Sequence, residues 1–411
     1  MSILIIHSKK VSNRLHYIAL QLFEQWHQIT INFVEDVHAA PHEYSIFNSQ
    51  GVLLCSSQSN ILFADSMYED FAFDWDKILA NDFNSDWLGA SFFLLSRMEE
   101  YEGEKDVHGR FSYKKSTAFQ QGFLNEPIVE RLVHYFVMKN LPQKTTYINK
   151  AHIVPTLDID MTHAILGRSV IRQCGAILKD FVKAKLSERL QVLRGKVKDP
   201  YDTFDYQLAV MKSTKLTAQY FFQVGAYGKY DKNISPKHPL FKKVIAKLHK
   251  HNIGLHPSYK SMIIPALFSR EKKTLEQLCE RQVQASRQHF LRFCLPETYS
   301  ELIKIGIKEE HSMGYAETIG FRASTSRAFY WYDLKNNCPT ELLIQPFVVM
   351  DVALAFYQGL APEKAISAIQ ELKQKIAEMN GTFAFCFHNE SLSERNQWKG
   401  WRAVFEEACK S

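Results

Sequence analysis

From residue 153 onward, short apolar, β-prone runs alternate with helical stretches, and this alternation narrows the fold more than any other feature of the chain. The runs cover residues 153–157, 218–224 and 253–255, a run ending near 287–293, then 342–346 and 382–387. Strand and helix in turn predict a parallel sheet or a βα barrel, in which functional groups collect at the carboxyl ends of the strands. Every polar cluster of interest falls at such an end. Residues 164–211, directly after the first of these clusters, read as a mostly helical insertion placed to wall a substrate groove.

The chain before this point carries a smaller α/β pattern. Apolar runs at 3–6, 29–34, 52–55 and 61–63 are joined by helical segments near 15–26, 87–101 and 126–137, with a polar loop at 102–112. No glycine-rich nucleotide loop interrupts them. A turn-rich connection at 141–146 leads onward. At 411 residues the chain exceeds one ordinary core, so we expect an N-terminal α/β accessory domain over 1–148 and a second domain over 149–411.

Composition excludes several classes of function. A formal charge of +6 with no long basic run gives no nucleic-acid signature, while an anionic glycan or lipid-linked substrate stays compatible. No stretch has the apolar length of a transmembrane segment. The four apolar residues before His7 are too few for a signal-peptide core, which sets a cytoplasmic expectation. Seven dispersed cysteines without a Cys-x-x-Cys pair read as reduced thiols and argue against a cysteine-based zinc site.

The first strand end reads Thr156-Leu157-Asp158-Ile159-Asp160. Alternation in an extended chain puts Asp158 and Asp160 on one face with Leu157 and Ile159 buried behind them. Two such carboxylates repel unless a cation or an arginine lies between them. The same residues also suit the cap of a following helix. His256 closes the run Asn252-Ile253-Gly254-Leu255 and suits a divalent metal. Arg287 and His289 again share a face, and His388 ends an otherwise apolar run at the start of His388-Asn389-Glu390. Two glycine-punctuated loops hold Tyr315 and Arg322, residue types that recognise hydroxyl and carboxylate groups. Tyr259, Tyr315, Phe329, Tyr330 and Trp331 have rings that suit either sugar stacking or the core.

The order of these pieces resembles the NodB-like polysaccharide deacetylases of the carbohydrate esterase family 4 type. It is closest to a bacterial subgroup with an extra N-terminal domain, to which Asp106-Val107-His108-Gly109-Arg110-Phe111 and Gly122-Phe123-Leu124-Asn125-Glu126-Pro127 are also similar. The resemblance implies an α/β fold, a distorted (β/α) barrel of fewer than eight strands. It implies a hydrolase that removes acetyl groups from an N- or O-acetylated sugar or polysaccharide precursor, using a divalent metal, zinc first. By the same resemblance Asp158 is the catalytic base, Arg287 orients it and His388 is the general acid. Asp160 and His256 become metal ligands. The family's second motif histidine is replaced by Lys260, and His289 is the expected substitute ligand. Tyr259, Tyr315 and Arg322 are assigned to the substrate. The alternative is a protein on the deacetylase fold that binds glycan without the metal. A carbohydrate is the expected partner in either case, and the oligomeric state stays open.

Overall fold

The computed structural model of the chain describes residues 2–66, 71–142, 149–182 and 186–410, so most of the connection expected at 141–146, and the boundary at 148, lie outside the described residues. Two sheets organise the chain. The first contains β1 (Ile3–Ser8), β2 (Thr30–Glu35), β3 (Glu43–Asn48) and β4 (Leu53–Gln58) in the order β2-β1-β3-β4. The β3 run was not expected from sequence. Residues 61–63, expected as an apolar run, fall instead in a helical turn, Asn60–Phe63, because the Ser59 side chain accepts from the Leu62 N–H and caps it.

The second sheet has nine strands: β5 (His152–Ile159), β6 (Gln219–Gln223), β7 (Asn252–His256), β8 (Ala285–Ser286), β9 (Glu309–Glu310), β10 (Phe329–Asp333), β11 (Cys338–Ile344), β12 (Val349–Met350) and β13 (Thr382–His388). Their order is β10-β11-β9-β8-β7-β6-β5-β13-β12. Every pairing is parallel except β10 with β11. This large parallel sheet is the α/β arrangement expected from the alternating runs. Its central strands β5, β6 and β13 are buried along nearly their whole length, as strands covered on both faces must be. Helices Pro362–Glu378, which begins on a proline at a position where no N–H bond is lost, and Trp401–Cys409 cover one side and bury Ile369, Leu372, Val404 and Phe405.

The apolar core of the first sheet runs without interruption into the second, joining Tyr17, Leu22, Trp87 and Phe92 to Tyr299, Phe329, Trp331 and Tyr332. Of the aromatic residues read as sugar-stacking or core, Phe329 and Trp331 are thus core. Side chains from the first segment bond the outer edge of β10: the Tyr17 hydroxyl donates to Tyr330 O at 2.6 Å, the Trp26 indole N–H to Ala328 O at 2.8 Å, and Tyr330 N donates to Gln21 Oε1 at 3.1 Å. Among the described residues no helix is long and apolar enough to cross a membrane, and the seven cysteines are free.

Candidate active site

Parallel register delivers the polar residues to one place. His388 pairs with Asp158 across β13 and β5, Gln223 pairs with His256 across β6 and β7, and Leu255 pairs with Ser286, the neighbour of Arg287. The strand ends surround a cavity of about 170 Å³ whose wall includes Asp158, Asp160, His256, His289 and His388.

Asp158 is buried beneath this cavity. Its Oδ1 accepts from Arg287 Nη1 at 3.0 Å, and the Cys386 thiol donates to Oδ2 at 3.3 Å. Arg287 is itself fully buried, donating from Nε to His311 O and from Nη1 to Thr156 Oγ1, with its guanidinium over the rings of Phe221 and Phe347. Burial pushes the Asp158 carboxyl up, but the charges of Arg287, His256 and His388 outweigh it and hold the group below its ordinary value. Burial and the Asp158 charge push the Cys386 thiol well up, so it stays a donor.

Asp160, His256 and His289 form a second cluster, with one ligand atom from each lying within 4.8 Å of the others. Each ring is oriented from behind. His256 Nδ1 lies 2.6 Å from Arg287 O, an atom that only accepts, so Nδ1 carries the proton and Nε2 faces Asp160 Oδ1 at 3.1 Å. His289 Nδ1 donates to Asp231 Oδ1 at 3.0 Å, leaving Nε2 at 3.5 Å from Asp160 Oδ2. Buried Asp160 Oδ1 nonetheless receives no well-aligned hydrogen bond among the described residues. Two back-bonded imidazoles aimed at the two oxygens of one carboxylate, of which Oδ1 is orphaned, make a donor set that fits a divalent cation. Without one, a proton does the work. Burial lowers the His289 pKa, but the Asp160 carboxylate, followed by Asp231, pushes it up to about 9. Desolvation raises Asp160, yet His289 and His256 hold it well below the carboxylate range.

His388 closes the cavity on the β13 side. Its backbone N–H and its Nδ1 both bond Asp351, at 2.6 and 2.8 Å, and its Nε2 lies 3.9 Å from Asp160 Oδ2. Burial would lower the His388 pKa. The Asp351 carboxylate, with Asp160 and Asp158 behind it, pushes it well above the usual value, which favours the protonated ring.

The residues expected at the substrate are placed differently. Arg322 is buried, with Nε and Nη2 on the two oxygens of Glu100 and Nη1 on Gly314 O, so its guanidinium ties the two segments together and does not line the cavity of Asp160. Tyr315 is buried 4% exposed and lines a neighbouring small cavity, also outside that of Asp160. Tyr259 lies beyond the wall, its hydroxyl 3.0 Å from His108 Nδ1 and its ring under Arg292. Lys260 is exposed and absent from the wall.

Sequence reasoning missed Asp231, Asp351, Cys386 and Arg110. Asp351 follows the apolar run Phe347-Val348-Val349-Met350, the same signal that marked His388. Asp231 sits in a loop and carries no such mark.

Residues 4–145 match a family of unknown function, DUF7033. No curated protein matches the chain. Among solved structures, a Mycobacterium smegmatis protein described as a polysaccharide deacetylase is similar at 13% identity and a TM-score of 0.42, over 63% of this chain and 84% of that one. IcaB from Ammonifex degensii is similar at 15% identity and a TM-score of 0.23, over 39% of this chain and 84% of that one. At these values the overlaid folds agree only in part.

Proposed function

We propose that the chain is a metal-dependent hydrolase that removes an acetyl group from an N- or O-acetylated sugar or polysaccharide precursor, on a distorted (β/α) barrel. One observation carries this reading: a ligand set of Asp160, His256 and His289 stands between a carboxylate held ionised, Asp158, and an imidazole held protonated, His388. Acyl transfer to water needs a base and an acid in those two states at the same pH. One carboxylate and two imidazoles are zinc ligands in kind and number, and three protein ligands leave a coordination position open. When bound, a divalent cation polarises an acyl carbonyl and acidifies water.

The chain's own groups supply the proton transfers. Asp158 takes a proton from the attacking water, while Arg287 keeps the carboxylate oriented. His388, fixed through Nδ1 by Asp351, presents Nε2 to the leaving nitrogen or oxygen and gives up its proton there. His289 takes the ligand place that Lys260 leaves.

Acetate release from an N-acetylated glycan panel, with and without chelator, tests this directly. Asp158→Asn should abolish release and keep full metal content; near-normal release would refute the base. The metal-free glycan-binding alternative, which exposed Lys260 favours, requires sugar binding that the chelator leaves untouched.

A further inference from the structure

The wall of the metal cavity is not supplied by residues 149–411 alone. Arg110, from the loop at 102–112, lines it together with Asp160, His289 and His388. The same side chain lines a smaller cavity of about 30 Å³ with Asp106, Tyr113, Tyr315, Glu317 and Arg322, whose guanidinium is taken up by Glu100 and Gly314 O. Leu291 and Ala316 also belong to both, so the two spaces are neighbours with Arg110 in the wall of each.

The loop is held by the elements that carry the metal cluster. Arg292, just beyond His289, donates from Nε to His108 O at 2.6 Å and from Nη1 to Tyr259 O. Asp106 Oδ1 receives the backbone N–H groups of His108 and Arg110 at 2.8 and 2.9 Å. The Arg110 guanidinium is therefore fixed, with Nε and Nη2 each 2.7 Å from Asp106 Oδ2 and Nη2 3.5 Å from Glu317 Oε1. Nη1 has no partner among the described residues.

A fixed donor between two carboxylate acceptors has a definite complement. A free anion meets two negative groups, and an apolar group leaves the charges unanswered, whereas a sugar hydroxyl accepts from the arginine and donates to a carboxylate. Size selects further. A space of about 30 Å³ holds roughly two water-sized atoms. An N-acetylhexosamine offers single hydroxyls, a four-atom acetamide and one two-atom hydroxymethyl group.

We infer that the Asp106–Arg110–Glu317 row is a subsite for the exocyclic hydroxymethyl group of the sugar, so that the segment matching a family of unknown function completes the active site and selects its substrate. This inference rests on the deacetylase reading above.

The test is a ratio. The zinc-loaded full chain is titrated, by ligand-observed NMR, with the methyl glycoside of N-acetylglucosamine and with its 6-deoxy analogue. The parent should prefer the first by about ten-fold, the worth of one good hydrogen-bonded group. Arg110→Met and Glu317→Gln should bring the ratio towards one while zinc content stays full. A general loss of folding weakens both sugars equally and leaves the ratio in place. Equal binding by the parent, no binding of either sugar, or an unchanged ratio in both variants with zinc content full overturns the inference. Absence of acetate release with the ratio intact refutes the deacetylase reading and leaves the subsite standing.

Discussion

The proton that His289 holds in the ion-free chain must leave when a cation binds, and this makes metal affinity depend on pH in a way the structure specifies. The His289 pKa is pushed up to about 9, by Asp160 and then by Asp231 against the opposing effect of burial. A group with a raised pKa is protonated below it, so cation binding is penalised below about pH 9 and freed above it. Each unit is worth about 1.4 kcal/mol, so displacing this proton at pH 7 costs roughly 2.7 kcal/mol, about a hundred-fold in apparent affinity. Asp231→Asn keeps an acceptor for His289 Nδ1 and the Tyr259 N–H but removes the charge. Lost orientation and basicity should weaken binding about ten- to a hundred-fold at high pH. At neutral pH the variant's lowered His289 pKa relieves the proton competition, so the gap to the parent narrows. Cobalt competition against a chromophoric chelator between pH 6.5 and 9 measures both curves. A parent affinity flat with pH, or a gap that stays constant, would refute the assignment of His289 as a ligand backed by Asp231.

Three further outcomes follow from other contacts. His289→Ala should lower the metal stoichiometry seen by elemental analysis, with the fold kept. Arg322→Ala strips the buried Glu100 of one of its two arginine partners and should cost about 3–5 kcal/mol in urea unfolding; a change in KM without a change in stability would return Arg322 to the substrate. Asp351→Asn removes the main charge that raises His388, so the basic limb of the pH–rate profile should move to lower pH, and an unmoved limb would exclude His388 as the acid.

The central strands were legible because strands buried on both faces carry continuous apolar runs, and β5, β6, β7 and β13 each hold one, with polar residues mostly at their ends. Strands β8, β9 and β12 are two residues each, too short for any period to register. Phe329–Asp333 forms β10, but an aromatic run with one side on a distant segment gives no alternation to read. The site followed the same division. Asp158, Asp160, His256 and His388 are legible because a polar residue stands at the end of an apolar run. Asp231 and Arg110 are not, since what gives each its place is a partner far along the chain: His289 for one, the cavity wall for the other. Tyr315 and Arg322 lie in loops that look solvated in sequence and are buried by the N-terminal segment.

The hydrogen bonds from Tyr17, Gln21 and Trp26 to the rim of β10 bear on how the chain behaves in concentrated solution. A nine-stranded sheet ending in a bare strand would offer its free amides and carbonyls to any passing extended peptide, including another copy of itself. Here three side chains occupy those groups and a continuous apolar core covers the flank. The N-terminal segment thereby works as a permanent stopper on strand addition. A truncated chain beginning at residue 149 would lose it and self-associate through β10, which sedimentation of the truncated and full-length chains at matched concentration would reveal.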